Sequence, residues 1–246
     1  MRETSGTVDS EEIERFAARS AGWWDPHGSF QPLHRINPVR LDFIRTQLVA
    51  HFRRDPRALR PFDGLTLLDI GCGGGLVVEP MARLGFRVTG IDADAAAIAV
   101  ARAHAQAAKL EIDYRIGSAE ESAAAGASFD AVLALEVVEH LADVEAFFTS
   151  LSGLVKPGGA FIGATVNRTA ASFALAILGA EYLLRWLPRG THDWRRFLRP
   201  SEFVRGLRRH GLVATKLAGV GFDLTRGGWF LSPNLAVNYF VMAVQR

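Results

Sequence analysis

Cysteine is nearly absent: the 246 residues contain one, Cys72. A single thiol cannot close an internal disulfide, so the fold holds without that cross-link and the chain suits a reducing compartment. Neither sign of charge dominates. Lysine and arginine number 28 against 26 aspartates and glutamates, and the pI near 9.0 comes without the localised basic stripe that a nucleic-acid surface requires. Nucleic acid is therefore not an expected partner. The first residues, 1–9, are polar and hold neither the apolar core nor the cleavage signal of a secretory leader. Internal repeats are missing too. What remains, 49% hydrophobic and 22% charged residues, is ordinary for a soluble globular chain, and the length suits one large α/β domain.

The chain is organised around residues 65–75, Leu-Thr-Leu-Leu-Asp-Ile-Gly-Cys-Gly-Gly-Gly. An apolar run without polar alternation fits a strand buried on both faces of a parallel sheet. It ends in Gly71, Gly73 and Gly75, where the missing Cβ permits positive φ and lets a ligand lie almost against the backbone. Residues 76–84 then read as a helix stopped by Gly85. A dinucleotide loop, G-x-G-x-x-G, has its third glycine at the sixth position, whereas here it comes one residue early and Leu76 fills the sixth. With Asp69 in front, the pattern D-x-G-x-G-x-G resembles that of Rossmann-like S-adenosylmethionine (SAM) methyltransferases. SAM carries no phosphate, so the resemblance implies that Asp69, Gly71 and Gly73 serve close approach to the amino-acid part of the cofactor. The plain alternative is a tight strand-to-helix turn with no ligand.

A second short strand, 87–92, ends in Asp92, and a carboxylate at that tip can accept from both ribose hydroxyls. Asp94 reads as the N-cap of the alanine-rich helix that follows. A third strand at 112–116 leads to Ser118 and Ala119, which in this fold adjoin the adenine; a serine stands where an acid is usual. The fourth strand, 129–135, puts Leu135 at its carboxyl end, beside the cofactor. A helix at 144–154 and a Pro-Gly-Gly turn precede a fifth strand at 160–166. Strand and helix thus alternate, the signature of a doubly wound parallel sheet. A helix at 201–210 and two β-rich segments, 213–220 and 236–245, add an antiparallel edge. The expected fold is α/β: a seven-stranded, mostly parallel Rossmann-like sheet with helices on both faces. Residues 1–62 form a helical cap of this one domain, 63–167 the SAM-binding core, 168–200 an insertion, and 201–246 the last helix and edge strands.

Three segments stand outside that pattern. Asp9 and Glu12 make a capping box for a first helix carrying Ile13, Phe16 and Ala17. Trp23, Trp24 and Phe30 follow in a turn-rich stretch that fits either a pocket wall or lid, or a plug seating the first helix on the core. Asn37-Pro38 reads as the N-cap and first-turn proline of the next helix. Arg40 then lies where a helix dipole disfavours a cation, so it pairs with an acid or faces an anion such as the carboxylate of SAM. Residues 170–187 are apolar apart from Glu181 and Arg185 and make a poor spanning helix. They fit either a lid packed on the core or a membrane-surface helix, with Arg185, Arg189, Arg195, Arg196 and Arg199 toward anionic headgroups.

Trp-Trp-Asp, Pro-Leu-His-Arg-Ile-Asn-Pro, Asp-Ile-Gly-Cys-Gly-Gly-Gly, Glu-x-x-Glu-His, Gly-Ala-Glu-Tyr and Gly-Thr-His-Asp-Trp occur in this order. Together they resemble the ubiquinone-biosynthesis O-methyltransferase family, from about Ile13 to the C-terminus. The resemblance implies a polyprenylated phenolic substrate, first a polyprenyl catechol and later demethylubiquinol, and cofactor contacts at Arg40, Gly71, Asp92 and Leu135. It also implies a cytoplasmic protein, peripheral on the cytoplasmic face of the inner membrane and associated with other enzymes of the pathway. Two departures stand out: the fourth-strand tip has no methionine, and Arg226-Gly227-Gly228-Trp229 has no clear counterpart. The rival readings are a methyltransferase of the same fold acting on another small phenol or lipid acid, and a non-catalytic SAM-fold subunit of a membrane complex.

Methylating a phenol requires removing its proton, because a free phenol, with a pKa of about 10, is mostly neutral at pH 7. His34, His140 and His192 compete for that role, and His140 is favoured because it follows the fourth strand, with Glu136 as its catalytic partner. If residues 136–140 are helical, Glu136, Glu139 and His140 share one face and would hold magnesium or another divalent cation. A similar Glu-His pair also occurs in methyltransferases without metal.

Overall fold

The apolar run around Leu67 becomes β1 (Thr66–Ile70), the strand about which the sheet reverses direction. The computed structural model describes residues 20–173, 194–223, 225 and 227–246. In it β1 lies between β2 (Arg87–Asp92) and β4 (Phe129–Leu135), parallel to both. Beyond β2 lies β3 (Asp113–Ile116), and beyond β4 lies β5 (Val155–Val166), also parallel. The chain therefore winds outward on one side of β1 and then returns to start the other. Parallel sheets bind ligands at such a switch point, outside the carboxyl ends of the strands.

The antiparallel edge follows β5 in the order β8 (Asn238–Gln245), β6 (Leu212–Asp223) and β7 (Gly228–Ser232). The doubly wound class agrees with the sequence, and the described sheet has eight strands where seven were expected. The extra strand is β7. Its five residues sit behind Gly227 and Gly228, too short a run beside two turn formers to show a strand period.

Alternate side chains of the inner strands point to opposite faces, and each face is covered by helices. Leu67 and Leu133 belong to one core with Phe43, Ile44 and Leu48 of α1 (Gln31–His51), Met81 of α2 (Val78–Arg83) and Ile98 of α3 (Ala95–Ala107). Leu68 and Val132 point the other way. They meet Ala119 of α4 (Ala119–Ala124), Phe147 and Leu151 of α5 (Val144–Leu154), and Phe203 and Leu207 of α6 (Pro200–Arg209). A Cβ at Gly206 would lie 2.2 Å from the Phe148 ring, so a glycine is what lets α6 approach α5.

Two boundaries differ from the sequence reading. α1 begins at Gln31, not at Pro38, with Pro32 in its first turn and Pro38 in its interior. Asn37 is thus no cap; its side-chain amide donates to the Leu76 carbonyl at 2.9 Å, tying α1 to the glycine bend. Arg40 consequently lies well inside the helix, and the dipole argument for it does not apply. The Pro-Gly-Gly turn falls within the span of β5, where the pairing with β4 shifts register and Gly158 takes φ 75°. The first helix expected around Asp9 to Ala17, most of the 170–187 segment, and His192 lie outside the described residues. Among the described residues, no helix is long and apolar enough to cross a membrane.

Candidate active site

The bend after β1 is pinned to the end of β2 by backbone bonds from Gly71 and Cys72 to the Ile91 carbonyl, at 2.8 and 3.0 Å. Gly71, Gly73 and Gly75 take φ of 71°, 52° and 90°, a left-handed conformation that glycine alone adopts readily. Their missing side chains also leave room for neighbours. A Cβ on Gly71 would come within 2.5 Å of Val137, and one on Gly75 within 2.2 Å of the Tyr114 hydroxyl. The Cys72 thiol is buried, and burial beside Asp92 and Asp69 pushes its pKa well up, so it is no thiolate nucleophile.

Asp92 closes β2, as expected, and both its oxygens are engaged: the Gly73 N–H donates to one and the Asp94 N–H to the other, each at 2.8 Å. Burial raises its pKa, and the N–H donors of Asp94 and Gly73 offset part of that rise. Asp94 caps α3 through the Ala96 N–H, as read from the sequence. Asp69 is buried behind the bend. Desolvation and the charge of Asp92 push its carboxyl up to about 8, against the pull of Arg40.

Arg40 reaches this end of the sheet from α1 and forms an ion pair with Glu136. Its burial lowers the guanidinium pKa to about 10, with Asp69 and Glu139 opposing the shift, and its Nε has no hydrogen-bond partner. Leu135 is half-buried at the end of β4. Glu136 comes next, with φ 54°, and its N–H donates to the Ala164 carbonyl.

That backbone corrects the expected metal set. Glu136 is not helical, and only Val138–His140 form a short 3-10 turn, so Glu136, Glu139 and His140 do not share a helical face. Glu136 is taken by Arg40, and buried Glu139 accepts from the Thr165 hydroxyl at 2.9 Å, its other oxygen having no partner. Among the described residues, no group of three or more histidine, cysteine, aspartate or glutamate side chains is placed to hold a metal ion. The donor set does not fit a cation, and no step is assigned to one. His140 itself is half-buried beyond β4.

Ser118 serves as the N-cap of α4: its hydroxyl accepts from the Glu121 N–H at 3.2 Å, and the Glu121 carboxylate returns the bond to the Ser118 N–H. Ala119 is buried in the second core. Neither side chain is a free donor or acceptor here.

The tryptophan pair proves to be a cover for the bend. The Trp23 ring lies on Gly73 and Gly74, where an added Cβ would come within 2.5 Å of it, and it stacks on Phe30 at 3.9 Å. Trp24 donates its indole N–H to the Gly74 carbonyl at 2.9 Å and stacks on His104 at 3.5 Å; His104 in turn pairs with buried Glu79 at 2.7 Å. His34 holds the Trp23 carbonyl at 2.8 Å, which gives that histidine a positioning task. Contacts of Trp23, Asn37 and Val137 with the bend escaped the sequence reading, because they join residues far apart in the chain. Only the aromatic density around Trp23 hinted at them.

A glycine bend, an acid closing the second strand and a doubly wound sheet with an antiparallel edge define a SAM-dependent methyltransferase of the Rossmann-like class. Residues 68–163 match the methyltransferase domain family. The fold resembles magnesium protoporphyrin IX methyltransferase from Synechocystis, crystallised with bound SAH, with a TM-score of 0.65 at 18% identity over 96% of this chain and 94% of that one. A possible histamine N-methyltransferase from Thermotoga maritima gives a TM-score of 0.64 at 16% identity, covering 96% of this chain and 99% of the other. At whole-chain level the similarity is far more specific. The ubiquinone biosynthesis O-methyltransferase of Paramagnetospirillum magneticum is 53% identical over 240 residues, covering 98% of this chain and 96% of its own. That of Cereibacter sphaeroides is 51% identical over 245 residues, 99% of each. The chain belongs to the ubiquinone biosynthesis O-methyltransferase family and is a SAM-dependent O-methyltransferase.

Proposed function

We propose that this enzyme methylates a phenolic hydroxyl of a polyprenylated ring, with the reaction set at the carboxyl ends of β1 and β4. When bound, SAM supplies an electrophilic methyl on a sulfonium sulfur. The observation that carries the site is the buried Arg40 guanidinium, with a free Nε, held by α1 at the same strand ends as the glycine bend and Asp92. These residues fit the cofactor: a cation for its carboxylate, an open backbone at Gly71 and Gly73 for its amino-acid part, and Asp92 for its ribose. Asp69 stands buried behind the bend. Leu135 supplies apolar packing, and the backbone and packing atoms of Ser118 and Ala119 adjoin the adenine.

His140 is the group we assign to the phenol proton. A histidine base of suitable pKa contributes ~10²- to 10⁴-fold, and placement of the reacting atoms contributes more, up to ~7–11 kcal/mol in favourable cases. Glu136 positions the site through Arg40. The one domain then divides its work: the bend and β2 hold cofactor, and the segment after β4 faces the phenol.

The test is transfer of a labelled methyl from SAM to a prenylated catechol by the purified protein. Label on oxygen, lost in His140→Ala with SAH affinity retained, is the expected result. Label accepted only by an unprenylated phenol or a lipid acid overturns the substrate; full turnover by His140→Ala overturns the base.

A further inference from the structure

We propose that the hairpin of β6 and β7 seats the isoprenoid tail of the phenolic substrate. The proposal rests on the substrate reading above and assigns the tail to a surface of its own.

The pairing registers place this hairpin. β5 ends at Val166 opposite Asn238, where β8 begins, and β6 leaves β8 at Gly219, opposite Tyr239. Val220 to Asp223 continue past that point, paired only with β7 down to the couple Asp223 and Gly228. The hairpin therefore overhangs the sheet at the carboxyl end of the parallel strands, the end that carries Leu135, Glu136 and His140. Its inner side rests on α1, the helix that carries Arg40, with Trp229 packed against the core that holds Phe43 and Ile44.

Several apolar side chains of the hairpin are not buried. Among the described residues six large hydrophobic side chains are exposed, and three of them are here: Phe222 at 37%, Phe230 at 47% and Leu231 at 36%. The register separates them: Phe222 stands opposite Trp229 and Leu231 opposite Val220 on the face that meets α1, whereas Phe230, opposite Gly221, lies on the other face. Phe222 meets Trp229 edge to face at 5.0 Å, so the α1 side presents Phe222 and Leu231 beside a packed indole.

An exposed apolar surface rimming a site marks a binding surface. An isoprenoid chain has no hydrogen-bonding group, so only apolar area can recognise it, and the ring end of such a substrate must lie at these strand ends. Anionic headgroups need a net excess of lysine or arginine, and the only charged residues of 219–232 are Asp223 and Arg226, which sum to zero. This favours an acyclic hydrocarbon tail over a membrane surface.

The experiment compares the wild type with a Phe222→Ser, Leu231→Ser double variant on two detergent-dispersed catechols, one prenylated and one without the tail. The variant is expected to lose about tenfold in kcat/KM on the prenylated catechol, as loss of apolar contact area predicts, with the tailless catechol and SAH affinity unchanged. An equal loss on both substrates, or no loss on either, would overturn the proposal. So would a loss seen only when the prenylated catechol is presented in phospholipid vesicles, which would assign the hairpin to the bilayer. A wild type that turns over the tailless catechol alone fails the parent reading before any variant is compared.

Discussion

Arg40 and Glu136 join the interior of α1 to the first residue beyond β4 by an ion pair, and the two are buried unequally, with 6% and 31% of their side-chain surface exposed. Truncating Glu136 therefore strands a cation with little water around it. Glu136→Ala is expected to cost about 2–4 kcal/mol, near the low end for a broken buried pair because one partner is partly solvated. Glu136→Gln keeps an oxygen to accept from the guanidinium and should cost less than half of that. Urea unfolding monitored by circular dichroism measures both; losses near zero in both variants would show that the pair adds nothing to the fold.

Asp69 gives stability a pH dependence of known sign. Its folded pKa, raised to about 8, lies above the unfolded value near 3.8, so the folded state holds a proton that the unfolded state releases. Stability from this group is full below pH 4, declines as pH rises toward 8 and is constant beyond. Asp69→Asn does not titrate. Its melting temperature relative to the wild type should therefore climb between pH 4 and 8 and level off above; a difference independent of pH would sink this.

Replacing Asp92 removes two bonds that shape the bend as well as the acceptor for the cofactor sugar. Asp92→Ala should weaken SAH binding by about 1–3 kcal/mol. Asp92→Asn retains one oxygen and should fall between. Calorimetric titration decides it, and unchanged affinity in Asp92→Ala would place the ribose elsewhere.

Gly74 has ordinary backbone geometry, so what an alanine methyl meets there first is the Trp23 side chain, its Cγ at 2.5 Å and its Cβ at 2.6 Å. Overpacking of this kind costs about 1–3 kcal/mol, a fall of roughly 2–10 °C in Tm for a chain of this size. Adding Trp23→Gly, which removes the ring and its Cβ together, should relieve most of the Gly74→Ala cost. Strictly additive losses in the double variant would mean that the ring is not what the added methyl meets.

The parallel half of the sheet was legible from residue order because its signals are local: an unalternated apolar run at Leu67, glycines at a fixed spacing, an acid at Asp92, and Asp94 as a cap. Phe129–Leu135 and Val144–Leu154 appear with the expected limits. Long-range partners were not legible. Asn37 looks like a cap because Pro38 follows it, yet α1 starts about two turns earlier, at Gln31, and takes Pro38 inside, leaving the Asn37 amide to reach Leu76. The Glu-x-x-Glu-His spacing suggested one helical face only on the premise of a helix, and the left-handed φ of Glu136 removes that premise. The 228–232 strand is visible only once β6 is there to pair with it.

The indole of Trp23 resting on Gly73 and Gly74 gives the protein an optical probe of its own. Emission from that ring depends on the polarity and quenching groups around it, so anything arriving at the bend should alter the signal without an added dye. Mixing experiments on a millisecond scale can then time occupancy of the site separately from turnover, and a Trp23→Phe control identifies which part of the light comes from there.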